Sequence, residues 1–445
     1  MLSAIGITRV SNWAYVTTMA VALTAAFALL GAYLYHFAAR HLYSIASIGL
    51  MSTVALATLL VAVVIGAQYP QFVPVPAAAL ILSIFYRQRL SLLLTGLLIV
   101  FLFSDQLVDF AHVLALATAS IVAVGTNVRQ RKDLMIRGFM IGFMQVVGFV
   151  FGFLSLLALA IDTGIAGSIW WQMALNYLGG LTSCIVAIGS LPFLESLFAM
   201  VTPLRLAELA DSSQPLLRKL EEEAPGTYQH SLAVANLAEA AARAIGADVN
   251  LTRAGSLYHD IGKTVRPRFF IENQLGDTNP HDTMSPEESR DRVLAHVTDG
   301  LELAAQYRLP RAVADFIPQH QGTSLMAYFY HKACVRDGQE RVDPLFYRYP
   351  GPRPQSKEAA IVMLADVSEA VTHSLKNPTE EEVAGVIDKV ARARWDDGQF
   401  EESSLTCENL EVIKNAFVRV WRTLHHERLR YPSTTTGKMP VPPEL

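Results

Sequence analysis

Apolar positions fill the first 200 of the 445 residues in long runs, at 13–35, 45–66, 72–85, 90–103, 107–125, 135–161 and 173–200. A run such as 139–161 has no polar face to turn towards water, so it reads as a membrane helix and not as a core helix of a soluble protein. The third and fourth runs, at about 14 residues, fall short of the roughly 20 needed to cross the hydrocarbon. They form either two spans or one re-entrant hairpin. The total is then seven or five, and either odd count puts the two ends of this part on opposite sides of the bilayer. Beyond residue 203 the pattern becomes amphipathic with a helical period. It predicts a linker helix ending near Glu223, a Pro-Gly break, a helix from about Tyr228 to Ile245, and further helices near 251–261, 286–307, 311–319, 357–375, 380–395 and 409–429. No alternating strand pattern stands out. The expected fold class is therefore all-α: a polytopic transmembrane helical domain over 1–203, a linker helix over 204–226, an all-helical domain over 227–432, and a disordered tail over 433–445. Two loops rich in Pro, Gly, Asn and Asp interrupt the second half, at 264–285 and 335–356, and their length suits lids or binding loops.

Charge sharpens this division. Residues 1–200 hold eight Lys or Arg (Arg9, Arg40, Arg87, Arg89, Arg129, Arg131, Lys132, Arg137), and the remainder holds the other 28 of the 36. With the N-terminus outside, every basic connection except the exposed start falls on the inner side, and the outer connections GAQYPQ, SDQ and DTGIAGSIWWQ carry none. The second half is then cytoplasmic. The formal net charge of -4 offers no basic excess for a nucleic-acid polymer. Cys184, Cys334 and Cys407 are too few and too scattered for a disulfide or zinc framework, which fits a reducing compartment. The first apolar run is too long, and lacks the basic leader, for a cleavable signal peptide. Inside the membrane half Asp109 and His112 share a helical face and could form a sensing or ion-binding pair; the plainer reading places Asp109 at the outer interface and Glu195 at the inner end, both hydrated.

The chemistry lies in the second half. His230 opens a helix in GTYQHSLAVANLA, His259 and Asp260 stand in YHDIGK, His296 in RVLAHVTDGLELA, His320 in FIPQHQGT, and Asp366 in IVMLADVSEAV. Each alone reads as a satisfied core residue. Four imidazoles and two carboxylates on apolar faces of one helical domain read as the ligands of a metal centre. Six protein ligands on one cation would leave no open position, so the set predicts two divalent ions, with Asp260 as the bridge and the catalytic carboxylate. The mixed donor set suits iron or manganese and fits magnesium or calcium poorly. Such a pair can activate water and clamp a phosphoryl group for in-line attack. Lys263, a turn beyond, is either a catalytic donor to a phosphate oxygen or a solvated helix end.

The ordered strings EAPGTYQHSLAVANLAEAAA, YHDIGK, FIENQ followed by NPHD, HVTDGLELAAQYRLP, QHQGTSLMAYFYHKA and MLADVSEAV carry a resemblance. From about residue 13 to 432 the chain resembles the bacterial seven-transmembrane HD-domain phosphohydrolases, membrane-bound cyclic-di-AMP phosphodiesterases. The resemblance implies a cytoplasmic HD domain on a multi-pass protein of the bacterial inner membrane, a lipid bilayer as surroundings, and hydrolysis of a cyclic dinucleotide to linear pApA at a di-iron or di-manganese centre. One ion would take His230, His259, Asp260 and Asp366, and the other Asp260, His296 and His320. Lys263, Gln321, Asn273 and Tyr328 would contact substrate. Three departures accompany the match. Gln321 stands where the family has a second His, His373 stands where it has an Arg, and family members begin with a further span and a large extracellular domain, whereas twelve residues precede the first run here. A truncated start, or a member without that sensing module, would account for the last. Hydrolysis of cyclic-di-GMP or guanosine tetraphosphate is the alternative activity, and a non-catalytic membrane sensor or scaffold the alternative class. A homodimer through the linker helix is compatible with either.

Overall fold

The computed structural model describes residues 44–86, 88–104, 107–125, 131–159, 168–274, 276 and 279–424, with a few positions between 24 and 36. The expected first span at 13–35 lies mostly outside the described residues, as do Arg9, Arg40, Arg87, Arg129 and the tail at 433–445. The chain divides into two compact units, Met1–Leu209 and Ala210–Leu445. Among the described residues there is no strand, only an isolated bridge between Leu325 and Arg348. The expected all-helical class is correct.

The first unit contains α1 (Ile45–Ile65), α2 (Val75–Phe85), α3 (Gln88–Ser104), α4 (Phe110–Val124), α5 (Arg131–Ala158), α6 (Ile169–Phe198) and α7 (Pro203–Leu209). Among the described residues three segments are long and apolar enough to cross a membrane: Ile45–Ile65, Asp133–Ala158 and Ile169–Phe198. On α5 the exposed side chains include Met135, Ile136, Phe139, Phe143 and Phe151, a surface that suits acyl chains and not water. The short third run folds as α2, whose 11 residues extend only about 16 Å. Its first eight residues are all buried, so α2 is an inner helix walled by its neighbours. Helices in lipid pack through small residues that let backbones approach. Gly142 of α5 and Gly180 of α6 show this, for a Cβ on Gly180 would stand 2.4 Å from the Gly142 Cα.

Two acidic residues of this unit are satisfied by groups close in sequence. Asp109 caps the N-terminus of α4, accepting from the amides of Ala111 and His112, and its other oxygen lies 2.6 Å from His112 Nδ1. The imidazole is buried against Phe149. Glu195 accepts from the amide and hydroxyl of Thr202 at the end of α6.

The second unit contains α8 (Pro215–Glu223), α9 (Pro225–Ile245), α10 (Val249–Tyr258), α11 (Pro286–Gln306), α12 (Arg311–Ala314), α13 (Phe316–Gln319), α14 (Ala327–Asp337), α15 (Lys357–His373), α16 (Glu380–Asp396) and α17 (Cys407–Leu424). Caps explain several starts: Asp248 for α10, Ser356 for α15, and full capping boxes at Ser285 with Glu288 and Thr379 with Glu382. Alanines and branched residues of α9, α15, α16 and α17 form one core with Phe316 of α13.

Three details differ from the sequence reading. The linker segment folds as two helices, α7 and α8, separated at 210–214. The Pro-Gly pair does not break the chain before α9 but starts it, because proline at the first helical position loses no hydrogen bond. Residues 327–337 form a helix that the pattern did not mark. The two long loops are built of short 3₁₀ turns, and Tyr347 and Tyr349 of the second are buried.

One contact fixes the site's frame. At Gly262 a Cβ would lie 1.8 Å from the His296 carbonyl oxygen and 2.6 Å from the Gly300 amide nitrogen. The glycine lets the turn after α10 lie directly on α11. Gly262→Ala is therefore expected to destabilise the second unit by about 1–3 kcal/mol, seen as earlier loss of helical circular dichroism on heating the full chain. An unchanged melting profile would contradict this packing.

Candidate metal centre

Five elements deliver the six residues. His230 sits in the second turn of α9. α10 ends at Tyr258, and His259 and Asp260 occupy the break before the 3₁₀ turn Ile261–Val265. His296 comes from the middle of α11, His320 caps α13, and Asp366 lies within α15. Each stands on an otherwise apolar face that packing turns inwards, and His259, Asp260, His296 and His320 are buried.

Their donor atoms form two groups that share Asp260: His230, His259, Asp260 and Asp366 in one, and Asp260, His296 and His320 in the other, all within 4.8 Å of one another inside each group. Asp260 Oδ2 lies 3.1 Å from His259 Nε2 and 3.9 Å from His230 Nε2. Its Oδ1 lies 3.6 Å from His296 Nε2 and 3.5 Å from His320 Nε2. Asp366 Oδ1 lies 3.0 Å from His230 Nε2 and 3.9 Å from His259 Nε2. One carboxylate therefore faces two imidazole groups with its two oxygens.

The far side of each ring fixes its orientation. Nδ1 donates to the carbonyl of Ser256 from His259 (2.6 Å), of Val293 from His296 (2.5 Å) and of Phe316 from His320 (3.2 Å). His230 Nδ1 instead donates to Glu369 Oε2 at 2.5 Å. All four Nε2 atoms are thereby left to point at the carboxylates, the arrangement that orients histidine ligands on a metal. The Nε2 atoms of His259, His296 and His320 and Asp260 Oδ1 are buried with no hydrogen-bond partner. Orphaned acceptors of this kind fit divalent cations, which take deprotonated imidazole and carboxylate donors.

Electrostatics agree with the geometry. Burial pushes the Asp260 carboxyl up, but the charges of His259 and Lys263 more than offset it and hold the group well below the carboxylate range. Asp366 is likewise lowered against its burial by His230 and His259. Burial acts to lower His230, yet hydrogen bonds to Asp366 and Glu369 raise it to about 10. His296 is pushed down to about 4, chiefly by burial.

Lys263 is not a solvated helix end. Its Nζ lies 2.7 Å from Asp260 Oδ2 and 2.8 Å from Glu272 Oε1, over the ring of Phe270. Thr227 Oγ1 donates to the same Glu272 oxygen at 3.0 Å. Gln321 also reaches the cage, its Nε2 standing 3.5 Å from Asp366 Oδ2. Asn273 is tied elsewhere, its side chain bonding the amide and hydroxyl of Thr227. Tyr328, 64% exposed, stands edge-on to Phe329 and has no contact with the six among the described residues. Sequence reasoning missed Glu369 and Glu272. Glu369 lies one helical turn beyond Asp366, which was the available signal, while Glu272 in FIENQ is nine residues from Lys263 along an irregular loop.

Fold and site define a membrane protein that carries an all-helical HD-type domain with a buried His/Asp cluster able to hold metal ions. Residues 13–202 match the family described as 7TM receptor with intracellular HD hydrolase, and residues 227–371 match the HD domain. The chain belongs to this family. It is 40% identical to the cyclic-di-AMP phosphodiesterase PgpH of Listeria monocytogenes over 71% of its own length and 43% of that protein's. It is 35% identical to PgpH of Bacillus subtilis, over 82% of its length and 51% of the relative's. The chain thus spans about half the length of the curated relatives it matches. A crystal structure of the Listeria HD domain in complex with cyclic-di-AMP aligns with 48% of this chain and all of its own, at 43% identity and a TM-score of 0.47.

Two outcomes follow for this cluster. Without metal at neutral pH, His230 carries a proton on both ring nitrogens because it titrates at about 10, whereas Asp260 and Asp366 are already ionised and His296 is neutral. A cation taking His230 Nε2 must displace that proton, so metal uptake at pH 7 is expected to release about one proton per chain. Calorimetry in two buffers of different ionisation enthalpy reads it, and no net release would contradict the placement of His230. Glu369→Gln removes the carboxylate behind His230 and is expected to weaken metal affinity about 10- to 100-fold, measured by competition with a chelator.

Proposed function

We propose that this chain is a membrane-tethered, metal-dependent phosphodiesterase that hydrolyses cyclic-di-AMP to the linear dinucleotide pApA and so lowers the level of that second messenger. The observation that carries this reading is the buried Asp260 carboxylate, with one oxygen towards each of two imidazole groups. The relatives named cyclic-di-AMP phosphodiesterase support the choice of substrate.

In this reading His230, His259, Asp260 and Asp366 hold one ion and Asp260, His296 and His320 the other, with iron or manganese favoured by the mixed imidazole and carboxylate donors. When bound, the pair supplies charge to polarise a phosphoryl group and lower the pKa of water. Asp260 would offer one oxygen to each of the two ions, and its burial keeps bulk water from competing for that carboxylate. Lys263, its charge maintained by Asp260 and Glu272, donates to an oxygen of the phosphate being cut. Gln321, beside Asp366, hydrogen-bonds the same group. Water adds to phosphorus and the P–O3′ bond breaks, leaving a 5′-phosphate on one nucleoside and a 3′-hydroxyl on the other. Asn273 contributes through Thr227 and Glu272, and Tyr328 at the surface meets an exposed part of the ligand.

We place the HD domain at residues 227–432, after a linker over 204–226, on the cytoplasmic side of the bacterial inner membrane. The supporting observation is the absence of Lys and Arg from the outer connections. A homodimer through the linker is compatible with this arrangement.

The test is direct. The purified full chain, loaded with manganese, is incubated with cyclic-di-AMP, cyclic-di-GMP and guanosine tetraphosphate. Cyclic-di-AMP should be converted to pApA fastest; preference for another nucleotide would reassign the substrate, and turnover of none would favour a sensor or scaffold. Asp260→Ala should keep the helical fold and lose both metal and activity. Two ions per chain in that variant, by elemental analysis, would remove the bridge.

A further inference from the structure

Two polar groups next to the cage have no role in what precedes. Arg394, in the last turn of α16, has a buried Nε without a hydrogen-bond partner. Among the described residues its guanidinium makes no ion pair, although acidic groups surround this corner. Asp397, the C-cap residue of the same helix, is taken by Arg348 at 2.6 Å and by Gln399 Nε2 at 2.8 Å. The Arg348–Asp397 pair ties the segment at 348–349 to this end of the helix. Tyr349 is the second group. It is 9% exposed, its amide donates to the Ser324 carbonyl at 3.0 Å, and its ring stands edge-on to His296 at 6.2 Å between centroids. Its hydroxyl has no hydrogen-bond partner among the described residues. The charges of Lys263, Asp260, Asp366 and Arg394 all bear on it.

A guanidinium whose Nε is buried without an acceptor is costly unless an anion completes it. The cage carboxylates cannot be that anion, since cations would claim them. A cyclic dinucleotide, however, brings two phosphodiester anions, and the cage can act on only one at a time. We propose that Arg394 and the Tyr349 hydroxyl form a clamp for the phosphodiester that is not being cut. The clamp rests on the substrate reading given above and adds the reason why a bis-phosphate, and not a simple diester, is the preferred substrate. Arg394 offers paired N–H donors to two phosphate oxygens, and Tyr349 offers one further O–H. Neither group touches the reacting atoms. Both are positioning residues that seat the ring so that its other phosphate meets the cage.

The test compares a substrate with two phosphates against one with a single phosphate. The full chain with manganese is assayed on cyclic-di-AMP and on bis(p-nitrophenyl) phosphate, as wild type, Arg394→Gln, Arg394→Lys and Tyr349→Phe, with metal content measured for each. Arg394→Gln should raise KM for cyclic-di-AMP at least about tenfold, with two ions retained and the chromogenic diester cut at the wild-type rate. Arg394→Lys should recover part of the loss, and Tyr349→Phe, which keeps the ring on His296, should raise KM by less. An unchanged KM for cyclic-di-AMP overturns the clamp, as does an equal loss on both substrates, because that would mark damage to the cage or the fold. If wild type leaves cyclic-di-AMP intact but cuts cyclic-di-GMP, the substrate reading fails alone, and the same comparison on cyclic-di-GMP decides the clamp. If no cyclic dinucleotide is cut, both fall.

Discussion

A carboxylate removed from water must be met by positive charge or by donors, and in this chain that requirement governs the second unit. Asp260 is buried, and one of its oxygens has no partner. Leaving such a charge unpaired would cost about 3–5 kcal/mol, enough to consume much of the stability of a domain. Lys263 and His259 supply part of the balance on one side. On the other side only the lone-pair faces of His296 and His320 are present, at distances too long for hydrogen bonds. Cations held between these groups would turn repelling acceptors into ligands. In the function proposed above, a metal centre would make this burial tolerable as well as supply the chemistry.

The rest of the unit holds that cage in place. Hydrogen bonds behind the rings, three to backbone carbonyls and one to Glu369, fix every imidazole in the same sense. α10 ends just before His259, so the His-Asp pair occupies a turn and not a helix interior, which lets both side chains face inwards. Gly262 then allows that turn to lie on α11, bringing His296 to Asp260. The loop after the turn closes the site from the other side through Lys263, Glu272 and Thr227, so α9 and α10 are joined at the cage as well as in the apolar core.

Much of this was legible in the sequence, for reasons that differ by level. Long apolar runs announce membrane helices because lipid imposes one composition on a whole segment, and the amphipathic period announces the helices of the second half. The six cage residues stood out because each interrupts an apolar face, so their environment was written into their neighbours. What escaped was local geometry that neighbours do not encode. The start of α9 at Pro225 turned on proline's tolerance at the first helical position, helix 327–337 on tertiary contacts of an irregular segment, and the inner position of α2 on enclosure by helices distant in sequence. Asn273 looked like a ligand contact from its string alone, yet its amide is spent on Thr227. Glu272, Tyr349 and Arg394 lie in loops or on a polar helix end, where an ionisable or hydroxyl-bearing residue is ordinary, and only their placement beside the cage gives them meaning.

Whether one carboxylate joins two metal ions is the claim from which the function reading descends. Electron paramagnetic resonance of the full chain loaded with manganese reads it without recourse to any substrate. Two Mn(II) ions bridged by Asp260 predict an exchange-coupled signal that gives way to an isolated-ion spectrum when Asp260 is replaced. A plain six-line spectrum of uncoupled manganese in the fully loaded wild-type chain would contradict the account.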